Sequence, residues 1–192
     1  VDLGTSNTVA VVRQTCGDTV TVEFDRAPLL PSGVCAVSGG RLATGRDARD
    51  LADTHPESFE PAPKRRIGDD TVPLGHRDFS ADELVAAVLG RVLDETRHVT
   101  GRAPGHVVLT FPAAWGPARR MVLVEAARRL GVTDAMLLPE PVAAARFVSS
   151  VHPRAVPVGR TTVVYDLGAG TFDATVLRRT PHGFAQIGRA SC

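Results

Sequence analysis

Two short stretches decide how this chain is read. One is Asp2-Leu3-Gly4-Thr5-Ser6-Asn7-Thr8, and the other is Val163-Val164-Tyr165-Asp166-Leu167-Gly168-Ala169-Gly170-Thr171-Phe172-Asp173. Each ends a strand with Asp, turns through Gly and restarts on hydroxyl-bearing residues. Glycine lets backbone N–H groups approach an anion closely. Thr and Ser hydroxyls add donors. An Asp at a strand end suits a hydrated Mg2+, which takes carboxylate and water oxygens. One D-x-G-T turn is often only a turn. Two of them, about 160 residues apart, predict loops that clamp a nucleotide's phosphates from both sides. Neither is a Walker A loop, because the sequence contains no GxxxxGK[ST].

Working outward, the 192 residues fit one large domain or two small ones, and 43% hydrophobic residues supply a real core. A net charge of +1 gives no electrostatic argument for nucleic acid or a membrane surface. No apolar run reaches the roughly 18 residues of a membrane helix, and no signal peptide is visible. Cys16, Cys35 and Cys192 are scattered, with no CxxC or Cys/His cluster. They read as free thiols in a reducing compartment, which makes the cytoplasm the expected location. Both ends read as cut, so the chain is expected to be a fragment.

Of 22 basic residues, 21 are Arg and only Lys64 is Lys. Together with the scarcity of Ile and Asn, this reads mainly as a GC-rich coding sequence. It leaves the question of what one ammonium does that a guanidinium cannot.

Strands are expected at Val9–Val12 and Thr19–Phe24, forming an antiparallel meander with the stub at residues 1–3. Gly33–Val37 and Arg41–Thr44 read as a further hairpin. Arg46–Asp53 is a short helix, and Pro56, Pro61 and Pro63 break the next stretch into loop. The capping box Ser80-Ala81-Asp82-Glu83 opens a helix over about 81–99. The second half alternates: strand His106–Phe111, helix Pro117–Leu130, strand Met136–Leu138, then a helix with Pro141 at its first position. Strands follow at Arg160–Leu167, Thr171–Leu177 and Phe184–Ile187. The order predicts a mixed α/β sheet with flanking helices.

The motifs resemble the seventy-kilodalton heat-shock proteins, the DnaK-like chaperones of the actin-like ATPase superfamily. DLGTSNT (2–8) is similar to the first phosphate motif and VVYDLGAGTFD (163–173) to the second. VVLTFPAAWGPARR (107–120) resembles the stretch carrying a characteristic proline and arginine. LLPEPVAAA (137–145) resembles the connecting segment, and PKRRIG (63–68) the lysine-bearing one. The resemblance implies an actin-like, ribonuclease H-like α/β fold. It makes residues 1–192 lobe I of the nucleotide-binding domain, with subdomain IA at about 1–30 and 106–188 and an inserted subdomain IB at about 31–105. Lobe II and any peptide-binding domain would then lie outside these residues.

It further implies ATP and ADP as ligands, with Mg2+ and optionally K+. Asp2, Glu140 and Asp166 would surround the metal, mostly through water. Gly4, Thr5, Ser6, Gly168, Ala169, Gly170 and Thr171 would lie on the phosphates. Thr171 would sit by the γ-phosphate, and Asp173 would help orient the attacking water. Lys64 would be the catalytic lysine at the γ-phosphate. A compact ammonium on a slim stem suits such a place better than a wide guanidinium fork. Lys64, Thr171, Asp173 and Glu140 would form the catalytic set, and Pro112 and Arg120 would relay nucleotide state. Expected partners are lobe II, client polypeptides and co-chaperones, with ATPase activity in the full-length protein and none in the isolated fragment.

Three departures qualify this. Ala169 replaces the middle glycine of the usual GGG. Ala114 and Trp115 fall where two other aromatics are usual. Met136 falls where many members carry an arginine that couples to J-proteins, which weakens the expectation of that partnership. The competing readings are an MreB-type actin-like filament ATPase, a sugar or acetate kinase of the same superfamily, and a non-hydrolysing nucleotide-binding module.

Overall fold

The longest element starts where the sequence offers two partners for an orphan helix end. In the computed structural model, which describes residues 1–152, 154–169 and 172–191, Ser80 N–H donates to Glu83 Oε2 at 2.9 Å, and the Ser80 hydroxyl meets the same oxygen at 3.2 Å. This capping box opens a helix over Ala81–Thr100. Gly101, with φ of 73°, closes it by donating its N–H to Arg97 C=O. Leu84, Val85, Val88, Leu89 and Val92 form its buried stripe.

The described chain is divided into two compact units, one of residues 1–109 and 117–136, the other of residues 110–116 and 137–192. The first unit opens with β1 (Asp2–Leu3), β2 (Asn7–Val9), β3 (Val11–Arg13), β4 (Thr19–Thr21) and β5 (Leu30–Pro31). The expected meander is cut in two. β1, β2 and β5 form one antiparallel sheet, while β3 pairs with β4 in another. The break falls at buried Ala10, whose carbonyl still accepts from Val22 N–H at 2.9 Å.

Next come β6 (Val34–Val37), β7 (Arg41–Thr44), α1 (Gly45–Ala52), β8 (Phe59–Glu60), β9 (Val72–Leu74), β10 (Arg77–Phe79) and the long helix, α2. The prolines do not leave plain loop. β8 forms between them and pairs with β6, and short 3-10 turns flank it over Pro56–Ser58 and Pro63–Arg66. A fixed proline φ suits the first position of such turns. The β9–β10 hairpin, not expected from the sequence, turns at Gly75 with φ of 62°.

β11 (Val108–Phe111), α3 (Pro117–Arg129) and β12 (Met136–Pro139) follow, and both strands run across the division between the units. α3 ends in a Schellman motif: Val132 N–H reaches Ala127 C=O at 3.0 Å and Gly131 N–H reaches Arg128 C=O at 2.9 Å.

The second unit holds α4 (Glu140–Val151) and one antiparallel sheet of β13 (Thr161–Leu167), β14 (Phe172–Thr180) and β15 (Gly183–Ser191). Pro139 caps α4, so Glu140 takes the first helical position and Pro141 the second. That corrects the expected place of Pro141 by one residue. The helix packs Val142 and Ala145 on Leu177, with Leu138, Val164 and Phe184 around them. β15 runs well past the expected Phe184–Ile187, because its pairing with β14 continues through an irregularity at Val176/Leu177. The secondary structure is thus mixed α/β. Thr161–Ser191 forms a sheet of its own.

Candidate functional site

In the first unit, β1 and β2 pair Asp2 with Val9 and Leu3 with Thr8, so that Gly4, Thr5, Ser6 and Asn7, the first residue of β2, lie between the last paired residues. Asn7 lies opposite Pro31 of β5. Ser32 organises this loop from behind. It is 1% exposed; its hydroxyl donates to Gly4 C=O at 2.9 Å and lies 2.9 Å from Thr8 Oγ1, and its N–H donates to Ser6 C=O at 3.0 Å. A Cβ on Gly4 would collide with the Asn7 backbone carbonyl, so only glycine closes the turn. Asp2 and Ser6 are exposed; Gly4 and Thr5 are half-buried.

Lys64 lies in the turn Pro63–Arg66, behind buried Pro63, and is half-buried. Glu60 of β8, 3% exposed, holds this turn at both ends. Its Oε1 accepts from Ala62 N–H at 2.8 Å and its Oε2 accepts from Arg66 Nε at 2.5 Å. The hydrogen bond to Glu60, and then its charge, push the Arg66 guanidinium above its ordinary pKa. Glu60 pairs in the sheet with Val34, two residues after Ser32. One stretch, Leu30–Val34, therefore carries both the first glycine loop and the lysine turn.

In the second unit, Asp166 stands opposite Asp173 and Leu167 opposite Phe172. The connection between the last pairs again spans four positions. Gly168 and Ala169 are exposed, whereas Gly170 and Thr171 lie outside the described residues. Asp166 and Asp173 share the face of the sheet that carries Val164 and Leu177. On the other face Tyr165 and Phe172 stack with centroids 6.0 Å apart, and Leu167 is 83% exposed.

Glu140 begins α4, half-buried at a helix N-terminus that favours an acid. Pro112 follows β11 and accepts from Trp115 N–H at 2.9 Å. Arg189 of β15 donates to Ala113 C=O at 2.6 Å, fastening this turn to the sheet that carries the second glycine loop. Arg120 is half-buried in the first turns of α3. Among the described residues no group of three or more His, Cys, Asp or Glu is gathered to hold a metal directly. The facing carboxylates of Asp166 and Asp173 are nonetheless hard oxygen donors of the kind Mg2+ takes, and a cation would relieve the repulsion of like charges paired across strands.

Sequence reasoning missed Ser32, Thr8 and Glu60. Ser32 carries no motif, Thr8 only closes one, and their burial appears only when β2 and β5 pair. Glu60 stood in a proline-rich stretch read as loop. A lone acid two residues before Ala62-Pro63 was the one available signal.

The model of the Hsp70 protein family matches residues 71–187. The chain belongs to the Hsp70 family. The match runs from β9 into β15 and leaves out the first glycine loop and Lys64. Similarity to curated relatives extends further. The chain is 30% identical over 188 residues to the chaperone protein DnaK of Elusimicrobium minutum, covering 95% of this chain and 30% of that protein. It is 28% identical over 179 residues to DnaK of Halobacterium salinarum, covering 92% of this chain and 28% of that one. With DnaK of Mycoplasmopsis synoviae it shares 30% over 178 residues. The chain thus spans under a third of the length of these Hsp70 relatives. No described helix is long and apolar enough to cross a membrane.

Proposed function

We propose that these residues form the ATP-binding part of an Hsp70-type chaperone ATPase, lobe I of an actin-like domain, which hydrolyses the β–γ bond to drive conformational change. The observation that carries this reading is the shared frame of the two glycine loops. Each runs Asp-Leu, a four-residue connection beginning with Gly, then a returning strand, and the two registers correspond position by position. Family membership supports it, since the curated relatives are chaperones.

In this mechanism Gly4 and Gly168 let backbone amides approach the phosphates, and Thr5, Ser6 and Ala169 N–H, with Gly170 and Thr171, complete the donors. Lys64 places its ammonium at the γ-phosphate and holds the attacking water; Thr171 lies beside it. Asp173, together with Glu140, orients that water, and the carboxylate accepts the proton the water loses as it attacks. Asp2, Glu140 and Asp166 would hold a hydrated Mg2+, which would neutralise charge on the phosphate oxygens when bound, with K+ as an optional companion ion. Catalysis is positioning and electrostatics, with no covalent intermediate. Pro112 and Arg120 pass nucleotide state onward. The Arg189–Ala113 bond supports this for Pro112, because it ties the Pro112 turn to the sheet ending in the second loop. Client polypeptides and co-chaperones are the proposed partners, in the cytoplasm, with J-protein coupling weakened by Met136.

The test is Lys64→Ala and Lys64→Arg in the full-length protein. Turnover should fall by roughly two to three orders of magnitude, the scale of losing one transition-state electrostatic contact. Mg-ATP binding by calorimetry should persist. Unchanged turnover overturns the role of Lys64.

A further inference from the structure

The mechanism above leaves one buried acid unused. Glu60 lies in β8 with a side chain 4% exposed, and its carboxylate spends both oxygens on the turn that bears Lys64. Oε1 takes the N–H of Ala62, two residues before the lysine. Oε2 takes Nε of Arg66, two residues after it. Lys64 is bracketed. The backbone inside the bracket is closed as well, with Arg65 N–H on Ala62 C=O at 2.8 Å.

A carboxylate at this position is an expensive way to fill space. Burying it costs several kcal/mol before its partners are counted, and an apolar side chain would cover the sheet more cheaply. What the ionic pair adds is direction. A guanidinium on one carboxylate oxygen and a peptide N–H on the other define the orientation of the turn between them. Glu60 is itself anchored by its strand pairing with Val34, two residues from Ser32, which holds the first glycine loop. The bracket therefore refers the lysine turn to the same stretch, Leu30–Val34, that positions the first loop.

We propose that Glu60 and Arg66 are positioning residues for Lys64, aiming its ammonium at the γ-phosphate. This rests on the reading of Lys64 given above. Neither residue touches the nucleotide. They act on the rate of hydrolysis through the lysine and leave nucleotide affinity alone.

The experiment measures single-turnover ATP hydrolysis and Mg-ATP affinity in the full-length protein for Glu60→Gln, Arg66→Gln and Lys64→Ala. It adds the two double variants that combine Lys64→Ala with each of the others. Glu60→Gln and Arg66→Gln should each lower the hydrolysis rate on the order of tenfold, the scale of a displaced reacting group, with affinity unchanged. In the Lys64→Ala background neither should lower it further, because the group they aim is gone. A merely structural role would lower the rate by the same factor in both backgrounds, and that outcome overturns the proposal. So do wild-type rates in both single variants while Lys64→Ala abolishes turnover. If Lys64→Ala itself leaves turnover unchanged, the reading of Lys64 falls first and the proposal with it. Should Glu60→Gln fail to fold, Arg66→Gln decides alone, since the Arg66 side chain is half-exposed and fills no core space.

Discussion

At the scale of single residues, the site depends on groups that make no direct claim on a ligand. Ser32 is the clearest. Its hydroxyl and N–H hold three points of the first glycine loop and its return strand. Ser32→Ala would leave the Gly4 carbonyl and the Thr8 hydroxyl without this partner in a buried place. Such orphans cost about 1–3 kcal/mol. Urea unfolding should show that loss, and a change within error of zero would contradict the hydrogen-bond network. Gly4 makes a sharper case. Gly4→Ala drives a Cβ into the Asn7 carbonyl, so the loop must open. Mg-ATP binding by calorimetry should then be lost. Gly116→Ala, where an added Cβ meets nothing within 4 Å, should leave binding intact. Equal behaviour of the two variants would show that loop closure is irrelevant.

At the scale of elements, caps and pairings set where each motif sits. α2 is held at its start by Glu83. The backbone N–H of Ser80, acting against partial burial, keeps its carboxyl below the ordinary value of 4.5. A depressed folded pKa means that the ionised cap stabilises the fold fully above about pH 4.5 and loses this as pH falls through the lower folded value. Acid titration followed by far-UV circular dichroism should show that difference. Wild type should lose its advantage over Glu83→Gln between about pH 4.5 and the acid limit. An advantage that is constant with pH would contradict the cap. Cys35 belongs to the same scale. Burial in β6, and then the charge of Glu57, push its thiol up and keep it inert, whereas exposed Cys16 lies open to thiol reagents.

At the scale of the molecule, the chain divides into two units. Asp2 to Ser6, Lys64 and Arg120 lie in the first; Pro112, Glu140, Asp166 and Asp173 lie in the second. The second core is small, centred on Val142, Ala145 and Leu177. Leu177→Ala should cost about 2–5 kcal/mol, as buried large-to-small changes do. Amide exchange should quicken across β13–β15 first, because these strands pair only with one another. Protection lost uniformly over both units would argue against separate cores.

Much of this was legible in the linear chain. Hydrophobic spacing and the Ser80/Glu83 pair placed α2 to within a residue, and Pro117 with Gly131 bounded α3. Such signals are local, and local physics decides them. The two Asp-Leu-Gly loops, the single lysine and the resemblance they support were likewise sequence facts. Tertiary structure decided what local signals could not. It split the first meander at Ala10, and it drew β8 and the β9–β10 hairpin out of a stretch whose prolines spoke only for turns. Ser32 and Glu60 became functional candidates because strands far apart in sequence pair and bury them. Burial and hydrogen-bond partnership are properties of what the chain brings together, and no residue carries them in its name.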